Sequence, residues 1–163
     1  MRIGILSDTH DQVARTARAV ASLIDEGAEA LIHCGDFTQP RVVEELAGLP
    51  HYVVLGNNDY DENGLRRVVL SLGGVWLGRG GLVECGGKRL AVTHGDSFGE
   101  IRRLKEQEPD YLFLGHSHQR DDHREGPTRW INPGALHRAP EWTVALLDLD
   151  TDALTVLRLG RDR

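Results

Sequence analysis

The stretch RIGILSDTHDQVARTARAVASLIDEGAEALIHCGD, residues 2–36, decides the reading of the fold. Two short apolar runs flank a segment in which Val13, Ala17, Val20, Leu23 and Ile24 recur at helical spacing. This is the pattern of a strand–helix–strand unit. Asp11 is the expected N-cap of the helix and Gly27 its expected stop. Both apolar runs end in acidic residues, Asp8 and Asp36, so whatever the strands carry at their ends is polar.

Working outward, the alternation continues. PRVVEELAG (40–48) is a helix with Pro40 in its first turn. HYVVLGNND (51–59) is a strand, and ENGLRRVVLSLGG (62–74) is a further helix. Strands alternating with helices predict a parallel sheet. The second half reads differently. GVWLGRGGLVECGGKRLAVTHGD (74–96) gives strands joined by glycine turns, and SFGEIRRLKEQE (97–108) a helix opened by a Ser97/Glu100 capping box. YLFLGHSH (111–118), TRWINPG (128–134), TVALLDLD (143–150) and LTVLRLG (154–160) follow, the last two as a hairpin around Asp150–Asp152. The expectation is one mixed α/β domain over 1–163, parallel early and antiparallel late.

Composition narrows the function. At 40% apolar residues, the chain can bury a core amounting to roughly two-thirds of its unfolded surface. No apolar run reaches the roughly 20 residues of a membrane span, and the first residues carry no signal-peptide pattern. The two cysteines, Cys34 and Cys85, form no Cys-x-x-Cys pair, which fits a reducing cytoplasm. The net charge is −6 and no basic run exceeds two residues, so duplex nucleic acid and membranes are not expected partners. Homo-oligomerisation is left open. No Gly-x-Ser-x-Gly elbow or P-loop is present.

Five apolar runs share one ending. IGIL leads to SDTH, LIHC to GD, YVVL to GNND, LAVT to HGD and LFL to GHSH. The carboxyl ends of parallel strands open on a common crevice, where ligands bind. Asp8, His10, Asp36, Asn57, His94, His116 and His118 would converge there. Imidazole with carboxylate suits divalent Zn, Fe, Mn or Ni, and histidine argues against a calcium-type oxygen cage. Seven donors exceed the four of a tetrahedral zinc and match two adjacent cations, the usual clamp for phosphoester displacement. Singly, each motif is weak: Asp-x-His arises by chance, and Gly-Asp or Gly-Asn-Asn-Asp marks a turn. Gly-His-x-His is the most specific of them, and the shared context of all five carries the reading. For Asp96 a helix cap is preferred. His33 is expected as a packed, hydrogen-bonded neighbour of the site, His51 and His123 as solvated loop residues, and His137 as a residue outside the cleft. Cys34 is read as a buried small residue, and Trp76, Trp130 and Trp142 as packing residues.

In these motifs, and in INPGA at 131–135, the chain resembles the calcineurin-like metallophosphoesterases, specifically the small single-domain bacterial and archaeal phosphodiesterase branch. The resemblance implies an αββα four-layer sandwich of two mixed sheets with a dinuclear centre at strand carboxyl ends. It implies that Asp8, His10, Asp36 and His118 hold one metal and that Asp36 bridges to a second, held by Asn57, His94 and His116. It implies two divalent ions, Mn foremost, a metal-bridging water or hydroxide as nucleophile, and a small phosphodiester substrate. A phosphomonoesterase and a non-catalytic scaffold of the same fold are the alternatives. One departure stands out: where the family carries histidine, or in this branch often cysteine, this chain has Asn58. An amide cannot donate a catalytic proton. Its N–H groups can still bind phosphate oxygens and the adjacent Asp59 could donate a proton, which makes Asn58 and Asp59 the candidate catalytic side chains.

Overall fold

The structure is a computed structural model that describes residues 1–160. β1 (Arg2–Leu6) leads through α1 (Val13–Asp25) to β2 (Ala30–His33), which lies parallel to β1 with Ile5 opposite Ile32. α1 buries Thr16, Ala19, Val20 and Leu23, three or four residues apart. That stripe is rotated from the expected one: Ile24 sits beyond its edge and is exposed. Asp11 does not cap the helix. Gln12 holds the N-cap position without a side-chain capping bond, and the Asp11 carboxylate accepts from the Gln12 side-chain amide. Gly27 does end it. At φ +90° it lets Ala28 N–H reach Leu23 O and Gly27 N–H reach Ile24 O, satisfying two orphan carbonyls.

α2 is shorter than expected, Pro40–Glu44, and gives way to turns as far as Gly48. β3 (His51–Val53), α3 (Glu62–Ser71) and β4 (Val75–Trp76) complete the parallel series. The Asp61 side chain caps α3 by accepting from Gly64 N–H. His51 is not solvated: it is buried, with Nδ1 bonded to Leu49 O.

β5 (Gly80–Cys85), β6 (Lys88–Thr93), β7 (Tyr111–Phe113), β8 (Arg120–Glu125) and β9 (Thr128–Pro133) form a second sheet in the order β5-β6-β7-β9-β8. The second half, expected to be antiparallel, is mixed, as the two mixed sheets implied by the resemblance require. β6, β7 and β9 are mutually parallel, because α4 (Phe98–Lys105) makes a crossover between β6 and β7. Ser97 caps α4 by accepting from Glu100 N–H, while the Glu100 carboxylate pairs with Arg103 rather than closing the box, and Asp96 does not take the cap position. β8 has no apolar residue to announce it. Its strand is fixed by backbone pairing with β9 and by Arg129, which donates to both Asp122 oxygens at 2.8 Å. β10 (Trp142–Asp148) and β11 (Ala153–Leu159) return as the expected hairpin to the first sheet, β11-β10-β1-β2-β3-β4.

The layers follow from the two-residue period of the strands. Leu31, Val144 and Leu146 face α1, α2 and α3, whereas Ile32, Ala145 and Leu147 face the second sheet and pack with Leu90, Val92 and Phe113. On the far side of that sheet Ala91, Leu112 and Trp130 pack with Leu104 of α4. The result is the αββα sandwich. No described helix is long and apolar enough to cross a membrane.

Candidate metal centre

β1, β2, β3, β6 and β7 all end at one edge of the sandwich, and the loops that follow are stitched together. Asp8 N–H donates to Gly35 O at 3.0 Å, His10 N–H to Asp36 O at 2.8 Å and Gly115 N–H to His94 O at 2.9 Å. Glycine permits these approaches: a Cβ on Gly56 would lie 2.0 Å from Asp36 Oδ1, and one on Gly115 would lie 1.9 Å from Ser7 Oγ. The backbone is strained where the donors are. Asp8, His10, Asp36, His116 and His118 all have φ between +47° and +66°. Non-glycine residues in this region cost energy and concentrate at functional sites.

The structure brings together all seven side chains singled out as donors. Asp8 Oδ2 accepts from Ser7 Oγ at 2.7 Å and from His116 N–H at 3.0 Å, while Oδ1 is buried without a hydrogen-bond partner. Oδ1 faces His118 Nε2 at 3.1 Å and His94 Nε2 at 4.0 Å. Asp36 Oδ2 lies between His94 Nε2, at 3.4 Å, and His10 Nε2, at 3.8 Å. Asn57 Oδ1 is 3.0 Å from both His94 Nε2 and His116 Nδ1. The tightest groupings are Asp8 with His10 and His118, and Asp8 with Asp36 and His94. They share Asp8, and Asp36 stands between His10 and His94.

The histidine tautomers are set by the groups behind them. His94 Nδ1 lies 2.7 Å from Cys34 O, and His118 Nδ1 lies 3.3 Å from Arg138 O. A carbonyl only accepts, so Nδ1 carries a proton in both rings, and Nε2 is the nitrogen turned toward the cluster, where a bound cation would take its lone pair in place of a proton. In His33, Nδ1 accepts from Gly35 N–H, so Nε2–H donates to Thr9 Oγ1 at 2.9 Å. His33 is thus the packed neighbour expected, kept neutral because burial pushes its pKa down to about 3.

The charges are tightly balanced. Burial opposes a charged His94, but the Asp36 and Asp8 carboxylates outweigh it and raise its pKa to about 9. Burial likewise pushes the Asp36 carboxyl up, yet His94 and the Asn58 amide hold it well below the usual carboxylate range. His10 is lowered by burial, partly offset by Asp36. Its Nε2, like Asp8 Oδ1, is buried with no hydrogen-bond partner. Divalent cations fit this donor set. They would satisfy both orphan atoms and neutralise two buried carboxylates that otherwise repel.

Asn58 and Asp59 have roles that the sequence did not disclose. Asn58 donates to Asp36 twice, from N–H to Oδ1 at 2.8 Å and from Nδ2 to Oδ2 at 2.7 Å. Asp59 is buried, and its carboxylate accepts from Asp36 N–H at 2.8 Å, Gly56 N–H at 2.8 Å and Thr38 N–H at 2.6 Å. It braces the loops after β2 and β3 rather than facing the cleft. Asn132 does the same for the GHSH loop, donating to Gly115 O at 2.8 Å and accepting from Gly134 N–H at 3.0 Å. A cavity of about 520 Å³ opens beside the centre, lined by His10, Asp11, Thr38, Gln39, Asn58, Tyr60, Asp61, His137 and Arg138. His137, expected outside the cleft, lines it with its ring centroid 4.6 Å from that of His10. The left-handed backbone at the adjacent Arg138 has no mark in the sequence.

Fold and donor set together are those of a metallophosphoesterase. A model of the calcineurin-like phosphoesterase superfamily domain matches residues 1–152, and the chain belongs to that superfamily. Phosphodiesterase MJ0936 of Methanocaldococcus jannaschii is 30% identical over 138 residues, covering 82% of this chain and 83% of its own. Phosphodiesterase YfcE of Escherichia coli K12 is 25% identical over 98% of this chain and 93% of its own. Among solved structures, that of a novel archaeal phosphodiesterase superposes with a TM-score of 0.89 at 27% identity, covering 98% of this chain and 100% of that one.

Proposed function

We propose that this protein is a metal-dependent phosphodiesterase that holds two divalent cations, Mn foremost, on Asp8, His10, Asp36, Asn57, His94, His116 and His118. The observation that carries the proposal is the pair of buried, partnerless donors, Asp8 Oδ1 and His10 Nε2, inside a cluster of strained, converging side chains. Cations bound there would supply an acidified water and neutralise the phosphoryl oxygens. The protein's own part is positional. Asn58 orients the Asp36 carboxylate, Cys34 O and Arg138 O fix the tautomers of His94 and His118, and Ser7 with His116 N–H turns Asp8 so that Oδ1 points inward.

A diester is favoured over a monoester as substrate. Asp11 and Asp61 line the cleft, and near neutrality a monoester carries close to two negative charges where a diester carries one. Retention of all seven donors argues against a purely scaffolding role. The test is to strip the protein with chelator, restore Mn, measure metal per chain, and compare bis(4-nitrophenyl) phosphate with 4-nitrophenyl phosphate. Diester turnover that rises with metal occupancy to two ions per chain is expected. Full activity after stripping, or a preference for the monoester, would overturn the proposal.

A further inference from the structure

We propose that Tyr60 is the specificity-determining residue of the cleft, and that its ring stacks on a planar nucleobase carried by one ester arm of the substrate. The inference rests on the phosphodiesterase reading and adds the substrate class, a nucleoside phosphodiester. Among the described residues five large apolar side chains are exposed, Ile24, Tyr60, Leu70, Val75 and Phe98. Tyr60 is 86% exposed and is the one of the five that lines the cavity beside the metal centre. Nothing in the fold needs it there, since no core residue packs on it as a partly buried neighbour.

Its position ties it to the chemistry. The Asn58 amide spans the gap: Nδ2 donates to Asp36 Oδ2 at 2.7 Å, and Oδ1 accepts from the Tyr60 hydroxyl at 3.4 Å. An ester arm that left a phosphorus held at the metal centre along Asn58 would meet the Tyr60 ring. The cavity, about 520 Å³, is far larger than a dialkyl phosphate needs and lies in the range that encloses a nucleotide-sized ligand. Arg138 adds a cation on the same wall, exposed and with no hydrogen bond or ion pair on its guanidinium among the described residues. Tyrosine offers a sequence-tolerant π-face to any base.

The experiment compares two diesters with the same leaving group, thymidine 5′-(4-nitrophenyl phosphate) and methyl 4-nitrophenyl phosphate, on the Mn-loaded protein. Equilibrium binding of thymidine 5′-monophosphate and of methyl phosphate is measured alongside. Base stacking on an aromatic side chain, removed by alanine substitution, is worth roughly 5- to 150-fold. Tyr60→Ala should lose about that much kcat/KM on the thymidine ester, chiefly through KM, and change the methyl ester less than about twofold. Tyr60→Phe should retain the preference. Phe98→Ala, which alters an equally exposed aromatic away from this cavity, should change neither. Loss on both substrates alike, no loss on either, or an equal effect of Phe98→Ala would overturn the assignment. If neither ester is hydrolysed, the phosphodiesterase reading falls. In that case Tyr60-dependent binding of thymidine 5′-monophosphate, and not of methyl phosphate, would still uphold Tyr60, and binding indifferent to Tyr60→Ala would overturn it.

Discussion

Asp59 holds three backbone N–H groups on one buried carboxylate, and two of them belong to the loop that presents Asp36. Removing it leaves those donors unsatisfied, at roughly 1–3 kcal/mol each. Asp59→Ala should therefore lower stability by about 3 kcal/mol or more and weaken metal binding with it, read by chemical denaturation and by metal titration. A variant with wild-type stability would show that the brace is dispensable. Asn58 invites a separate prediction. Two of its N–H groups serve Asp36, so it supplies no proton to a leaving group. General acid help is typically worth 10²–10⁴-fold. Nitrophenyl diesters should accordingly be cleaved far faster than alkyl diesters, with a steep dependence on leaving-group pKa, and a flat dependence would mean that another group, such as His137, donates. Asn58→His would gain an acid but lose the Nδ2 bond to Asp36, so gain on alkyl diesters should come with weaker metal binding.

At the scale of elements, the centre exists because strands from two sheets end beside one another, and glycine sets how close their loops come. Gly56→Ala would place a methyl 2.0 Å from Asp36 Oδ1, and Gly115→Ala one 1.9 Å from Ser7 Oγ. Both should fold with reduced stability and bind metal at least about tenfold more weakly, as an ångström-scale displacement of a donor costs orders of magnitude in function. Gly73→Ala is the comparison, since its Cβ meets nothing within 4 Å although its φ is +77°. It should lose only the 1–2 kcal/mol or so of a left-handed alanine and leave metal affinity alone. Equal metal affinity in all three variants would show that the strand ends tolerate a wider gap than this packing implies.

For the whole molecule, two buried histidines set the pH dependence of the metal-free state. His33 titrates near 6.5 when unfolded and at about 3 when folded. Between these values the unfolded chain binds the extra proton, so stability falls as pH drops below about 6.5. His94 is raised to about 9, so its contribution is complete below about 6.5 and is lost as pH rises through 9. Metal-free stability should peak near pH 6.5 and decline on both sides, by up to about 1.4 kcal/mol per pH unit for each proton. Mn should remove the alkaline limb, because a ligating His94 must already be neutral, and should raise Tm with the logarithm of its concentration above Kd. Denaturation at acid, neutral and alkaline pH, with chelator and with Mn, checks both, and an unchanged alkaline limb would count against His94 as a ligand. The net charge of −6 also leads us to expect weak binding to random duplex DNA at physiological salt, measurable by anisotropy.

The sequence by itself determined the succession of strands and helices and the seven polar side chains at the strand ends, while the four-layer order came only with the family resemblance. Period-two and period-3.6 burial are local patterns, and the polar residue that ends an apolar run is legible wherever that run is. It also located the departure at Asn58. Tertiary structure alone decided what each polar group does once it arrives. Asp59 became a brace because the loops after β2 and β3 turn their N–H groups inward at the same point. His51 was buried and Asp11 left uncapping because β3 docks under Gly74 and α1 begins one residue later. β8 was hidden since a strand held by pairing and ion pairs, not by burial, carries no alternation. His137 and Tyr60 reached the cleft from loops beside the left-handed Arg138 and the turn at 57–58, and a loop's course is fixed by the packing of neighbouring strands rather than by the residues that make it.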